Sequence, residues 1–290
     1  MAIEQRATLA KEREQGVVHG RHCTRAAGRE QGYTARVTPV SAVLITLNEA
    51  QRLPAALASV SFCDDVVVVD AGSTDGTLEI ARAAGARVVV NAPWPGFVAQ
   101  RNFAADRACH DWILALDADE RVTSPLREEI EALATAGFGC AGYRIPRVAL
   151  YLGRHVRRSD WYPDPQLRLF DRKRGCWQGG LVHESGRGEG PVGRLRAEIE
   201  HAPYADIADH VRRINRYTTL WAEQEAAAGR RVGWMRLVGA PAWTFLRNYV
   251  VKRGALIGEV GLVISALGAY YTFLKLAKLR ELTSGGHAER

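Results

Sequence analysis

Short apolar runs that alternate with helical patterns, and that end in polar clusters, constrain this 290-residue chain more than any other feature. Ser41–Leu47 is a continuous apolar run of strand length. Asn48 and Glu49 break it, and 50–60 has helical spacing with Leu53, Leu57 and Val60 on one face. Asp65–Asp70 carries four consecutive valines and reads as a second buried strand. The turn 71–76 leads into a helix over 77–84, then come a strand at 87–90, a helix at 97–108 and a strand at 112–116. That last strand runs into Asp117-Ala-Asp119, and Ser124 reads as the cap of the next helix, with Pro125 at its first position. Strands apolar on both faces and interleaved with helices call for a parallel sheet covered on both sides. Such sheets bind ligands at the carboxyl ends of their strands. Three polar clusters fall there: Thr46, Asn48 and Glu49; Asp70 to Asp75; and Asp117 to Asp119.

The rest is less regular. Residues 1–37 are polar without a lasting period, which predicts a disordered basic tail. Strands are expected at 142–146 and 166–170, within a stretch of Gly, Pro, Trp and charge that reads as an acceptor-side region, and a helix at 205–228. A hydrophobic fraction of 47% and a charged fraction of 24% exclude a disordered, collagen-like or polytopic membrane protein. The net charge of +7 suits nucleic acid, anionic lipid or a phosphorylated substrate without choosing among them. Five cysteines without C-x-x-C spacing favour free thiols in a reducing compartment. The N-terminus has no apolar signal segment, so a cytosolic chain is expected.

Several chemistries lose their support. No G-x-G-x-x-G follows the first strand, and there is no Walker A loop, H-E-x-x-H or G-x-S-x-G elbow. Asp117 and Asp119 remain. Carboxylates at i and i+2 on an extended segment share a face. Two such oxygen donors hold Mg2+ or Mn2+, with substrate phosphates completing the shell. D-x-D by itself is also an ordinary solvated turn; its place at a strand end, near Asp70 and Asp75, favours a site.

With Ser41–Glu49, Val66–Thr77 and Leu116–Glu120, the chain resembles the nucleotide-sugar-binding half of family 2 glycosyltransferases. Trp94–Phe97, Gln100–Phe103, Trp161–Asp164, Arg168–Phe170 and Val182–Glu184 are similar to the subgroup that builds lipopolysaccharide core, whose type member is a β-1,4-glucosyltransferase. The resemblance covers about 40–280. It implies an α/β GT-A fold: a Rossmann-like, mostly parallel sheet with helices on both faces. The expected layout is a catalytic domain over 38–230 and a helical appendage over 231–290.

The resemblance also implies roles. Thr46, Asn48 and Glu49 line the nucleotide pocket, Asp70 accepts from uracil or ribose, and Ser73 and Asp75 sit beside base and ribose. Gln100, Arg101 and Asn102 open onto the same cleft, with Arg101 approaching the pyrophosphate or remaining an exposed helix charge. Asp117 and Asp119 bind the metal and the donor diphosphate. An inverting transfer needs a general base beside the acceptor hydroxyl. Asp164, among aromatic residues suited to stacking on sugar, is the first candidate; Glu184 is its rival, and Glu120 a third. Arg168 pairs with the leaving diphosphate or with a structural carboxylate, and His183 is a metal ligand, an orienting group or a structural histidine.

Basic residues Arg247, Lys252 and Arg253 precede the apolar stretch 254–274, and Lys275 and Lys278 follow it. Its length permits a spanning helix. Glu259, the glycines and the tyrosines at 249, 270 and 271 favour a helix lying on an anionic leaflet; internal packing is the remaining choice. The expected partners are therefore a nucleotide-sugar, UDP-linked as the resemblance implies, a lipid-linked saccharide acceptor and the cytosolic face of the inner membrane. A polyprenyl phosphate or a protein acceptor is the alternative. Nucleic acid is not an expected partner, because carboxylates at three strand ends repel a phosphate backbone.

Overall fold

The computed structural model describes residues 37–179, 184–188 and 190–284, with side chains described outside 178–189. Most of the expected tail therefore lies outside the described residues. Strands β1 (Val40–Thr46), β2 (Asp65–Asp70), β3 (Arg87–Val90) and β4 (Trp112–Asp117) lie in the order β3-β2-β1-β4, all parallel. Helices α1 (Leu53–Ser59), α2 (Thr77–Ala83) and α3 (Phe97–Arg107) connect them. Strands β1, β2 and β4 are apolar because both faces are covered, whereas the edge strand β3 is only half-buried. Val43, Ile45, Val67, Val69 and Ile113 pack with Ala104 and Ala105 of α3. Leu44, Val68, Leu114 and Leu116 pack on the other face with Leu53 and Leu57. Each such side chain contributes about 1.5–3 kcal/mol by leaving water.

Register decides where the polar clusters fall. Thr46 pairs with Asp70, and Ile45 with Asp117. The three strand ends therefore finish level, on one edge of the sheet.

Beyond β4 the sheet becomes mixed. A short β5 (Glu120–Val122) leads to α4 (Ser124–Ala136), whose side-chain cap is Thr123 rather than Ser124: Thr123 is extended and its hydroxyl accepts from Leu126 N. Then follow β6 (Gly142–Tyr151), β7 (Arg154–Val156), β8 (Asp164–Asp171), the hairpin β9 (Gly175–Gly179) and β10 (Glu184–Gly188), β11 (Val192–Arg194) and β12 (Ile199–His201). The order continues β4-β8-β6-β12-β5, with β8 antiparallel to both β4 and β6. Thus Asp164, at the start of β8, comes to the edge where β4 ends.

The C-terminal part holds α5 (Ile207–Ala227), α6 (Trp234–Leu246) and α7 (Glu259–Ser284). The apolar stretch 254–274 is not one helix. A 3-10 turn, Gly254–Ile257, and Gly258 at φ +73° precede α7. Gly261 lets that turn approach: a Cβ there would lie 1.9 Å from the Gly254 carbonyl oxygen. Near its start, α7 packs Val260 and Ile264 against Tyr151 and Val156; near its end, Leu276 and Leu279 meet Ala222 and Val232.

Candidate active site

The β1 and β2 ends are tied together by side chains. Asp70 is fully buried and accepts from Thr46 Oγ1 at 2.8 Å, Gly72 N at 2.8 Å, Ser73 N at 2.7 Å and Ser73 Oγ at 2.5 Å. Both its oxygens are thereby spent on the loop. It shapes the pocket wall and presents no free acceptor to a base or ribose, contrary to the expected role. Asn48, at φ +56°, donates its backbone N–H to Ser73 Oγ and accepts from Thr74 N; Asn tolerates this left-handed conformation. Asp75 accepts from Ala50 N and Thr77 Oγ1, and the Thr77 hydroxyl holds its carboxyl below the usual range. Glu49 is different. Burial raises its carboxyl pKa, Arg52 opposes this, and the negative charge of Asp119 adds to it. Glu49 thus faces the D-x-D segment.

A continuous ion-pair chain crosses from α3 to β8. Arg101 Nη2 lies 2.6 Å from Asp117 Oδ1. Arg168 Nη2 reaches Asp117 Oδ2 at 2.6 Å and Glu120 Oε1 at 2.5 Å. Arg147 Nη1 lies 3.0 Å from Glu120 Oε1, and its Nη2 2.5 Å from Asp164 Oδ2. Three cations and three anions alternate and balance. Burial pushes the Asp117 carboxyl up, but Arg168 and Arg101 outweigh it and hold the group far below the carboxylate range. Burial likewise disfavours the Arg168 cation, and Asp117 and Glu120 more than restore it.

This chain corrects several expectations. Each oxygen of Asp117 is held by a guanidinium, and a divalent cation beside two guanidiniums is repelled. In this structure both Asp117 oxygens are occupied by guanidiniums, which disfavours the metal-ligand role expected of it. Arg168 is only 3% exposed and committed to two carboxylates, so it takes its structural alternative. Arg101, 8% exposed, pairs with Asp117 and lies 5.0 Å over the Trp177 ring, so it is no exposed helix charge. Glu120 is fully buried under Arg147 and Arg168, which rules it out as the base.

Asp119 is the acid left outside the chain. His201 Nε2 lies 3.4 Å from its Oδ2. The β12 register causes this, since His201 pairs with Glu120 on β5. The Asp119 carboxylate is a donor for Mg2+ or Mn2+, and the imidazole suits the transition-metal ion Mn2+ better than Mg2+; no group of three or more such residues occurs among the described residues. The site therefore fits a cation that completes its shell with substrate phosphates. Sequence reasoning missed His201, because nothing in Ile199-Glu-His201 marks its pairing with a distant strand.

Other predicted residues are placed less directly. Asn102 spends both side-chain atoms on the Trp177 backbone, at 2.8 and 3.0 Å, and so anchors β9 instead of opening onto the cleft. Gln100 is fully buried, accepts from Asn91 Nδ2 at 2.7 Å and leaves its Nε2 without a partner. Trp161 is turned inward against Tyr151, Tyr204 and His210, so it does not offer a sugar platform. His183 lies outside the described residues, and only the backbone of Glu184, at the start of β10, is described.

Known proteins show which family the chain is similar to. The model of "Glycosyl transferase family 2" matches residues 41–186. The chain is 32% identical over 247 residues to the lipopolysaccharide core biosynthesis glycosyltransferase LpsC of Rhizobium meliloti, covering 83% of this chain and 92% of LpsC. Among solved structures, TarS 1–349 of S. aureus matches with a TM-score of 0.45 at 15% identity, over 87% of this chain and 93% of that one. Glucosyl-3-phosphoglycerate synthase of Mycobacterium tuberculosis, crystallised with Mn2+ and UDP-glucose, matches with a TM-score of 0.32 at 26% identity, over 40% of this chain and 44% of that one. On the strength of the family match and of LpsC, the chain is a GT-A enzyme that belongs to glycosyl transferase family 2.

Proposed function

We propose that the protein is an inverting, metal-dependent transferase that moves a sugar from a UDP-linked donor to a lipid-linked lipopolysaccharide core acceptor. The observation that carries this reading is that Asp119, His201 and Asp164 lie at strand ends on one edge of the sheet. Asp119 and His201 would hold Mg2+ or Mn2+, which neutralises a departing diphosphate when bound. The loop built on Asp70, with Asn48, Glu49 and Ser73, forms the donor pocket wall. Asp164 takes the proton of the acceptor hydroxyl as its oxygen bonds to the sugar carbon and the nucleoside diphosphate leaves. Arg147 holds one oxygen of Asp164, fixing its orientation. Its side chain is 36% exposed, so it remains open to an acceptor.

The C-terminal helices support docking on a membrane's cytosolic face. None of the residues of α6 is buried. Trp234, Met235, Val238 and Trp243 are 56–75% exposed, and Arg236, Arg247, Lys252 and Arg253 are interspersed or follow. By length and composition α7 is able to cross a membrane, but both its ends pack on other parts of the protein, which favours lying on the surface. The test is a thermal-stability screen of UDP- and other nucleotide-linked sugars with and without Mn2+. A UDP-sugar should raise Tm only when Mn2+ is present; no stabilisation by any nucleotide-sugar defeats the reading.

A further inference from the structure

One face of α5 carries charge that the reaction centre does not use. Asp209, Arg212, Arg213, Arg216 and Tyr217 recur at helical i, i+3, i+4 spacing and share that face. The buried stripe, His210, Ile214, Thr218 and Ala222, is a different one. The charged face closes against the β1 end, and together with Leu47, Asn48, Glu49 and Arg52 it lines a cavity of about 410 Å3. That volume is in the range of small-molecule sites. Four arginines face two carboxylates there.

The four arginines outnumber the carboxylates and are only loosely paired, Arg52 lying 3.5 Å from Glu49. Asp209 is shared among Arg213 at 3.3 Å, Arg212 at 3.4 Å and Arg52 at 3.6 Å. These are longer than the roughly 2.7–2.9 Å of a committed charge-assisted hydrogen bond, and than the 2.5–2.6 Å contacts of Arg168. Arg216 has no ion-pair partner among the described residues. Guanidiniums held close in one concavity repel each other until an anion enters. The cavity adjoins the reaction centre: the Glu49 that lines it feels both Arg213 and Asp119. Tyr217, half exposed, adds an aromatic edge.

From this we infer that the cavity between α5 and the β1 end binds a phosphate group carried by the saccharide acceptor. The inference rests on the transferase reading above and names the acceptor's chemistry. Guanidiniums match phosphate oxygens in pairs, and an acceptor anchored there extends toward Asp119. Lipid headgroups and the donor diphosphate carry the same chemistry, so the experiment separates all three.

The test uses the full chain with saturating UDP and Mn2+. Glucose 6-phosphate and glucose are titrated by NMR into the wild type and into the double variant Arg212→Gln, Arg216→Gln; both positions are exposed, so the fold is retained. The sugar phosphate should bind the wild type at least 10-fold more tightly than glucose. The variant should lose that preference while its UDP affinity stays within 2-fold. Equal binding of glucose 6-phosphate to both proteins overturns the inference. A fall in UDP affinity in the variant overturns it by giving the cavity to the donor. Loss of retention on phosphatidylglycerol vesicles, with sugar-phosphate binding unchanged, overturns it by giving the cavity to lipid. A wild type that binds no UDP at all marks the failure of the transferase reading itself.

Discussion

The imidazole of His201 sits 3.4 Å from the carboxylate of Asp119, on the edge where β4 ends. Asp117, two residues before Asp119, faces Arg101 and Arg168 instead. The two acids of one D-x-D segment therefore have separate surroundings: one balances buried arginines, and the other, under the proposal above, would take a cation.

That division is testable in binding. Asp119→Asn and His201→Ala should each weaken UDP binding by at least about 10–100-fold when Mn2+ is present, the scale already seen for loss of groups that only support a metal ligand. Without Mn2+ their UDP affinity should match the wild type. Calorimetric titration with and without the metal reads this directly.

Asp117 and Glu120 should act mainly on stability. Asp117→Asn or Glu120→Gln leaves buried arginines under-compensated, and breaking a buried pair costs about 3–5 kcal/mol. Urea denaturation should show a lowered midpoint at unchanged slope. A loss below about 1 kcal/mol for both would show the chain to be dispensable.

Asp164→Asn should lower turnover by about 10²–10⁴-fold, the range of general-base catalysis. UDP binding should persist, since Asp164 faces Arg147 and Gln166. Near-normal turnover in this variant, with a collapse in Glu184→Gln, moves the base to Glu184.

His210 predicts a pH dependence. It is buried, stacked on Tyr204 at 3.8 Å and hydrogen-bonded to Tyr151 at 2.9 Å. Burial pushes its pKa down to about 4, against the small opposing effect of Asp209. The unfolded imidazole titrates near 6.5. Between these values the unfolded chain binds more protons, so stability rises with pH. The contribution, about 3 kcal/mol, is fully present above about pH 6.5 and is lost as pH falls toward 4. Melting curves across that range should show the slope, and His210→Gln should flatten it.

Membrane docking should depend on α6. Replacing Trp234, Met235 and Trp243 by serine should release the protein from anionic vesicles, while UDP affinity stays unchanged. High salt alone should release the wild type only in part, because screening weakens the basic residues and not apolar insertion. Vesicle sedimentation measures both.

Local order was legible in the sequence. Strands β1, β2 and β4 and their helices follow from apolar runs buried on two faces, the edge strand β3 from its three valines alone, and their bounds fall within a few residues of the pattern. Asp119 was visible too, since a strand end and i, i+2 spacing are local properties. The roles of Asp70, Asn102, Asp117 and Arg168 were not, because each depends on which group lies opposite it. Asn102 meets the backbone of Trp177, and Arg168 meets Asp117 and Glu120, only after β8 and β9 have packed. His201 and the arginines of α5 needed the same long-range information. A three-residue strand and a polar helix face carry no hydrophobic period that points to a partner. Strand register and helix docking, fixed by burying the core as a whole, decide which charges meet, and with them which acid stays outside the buried ion-pair chain.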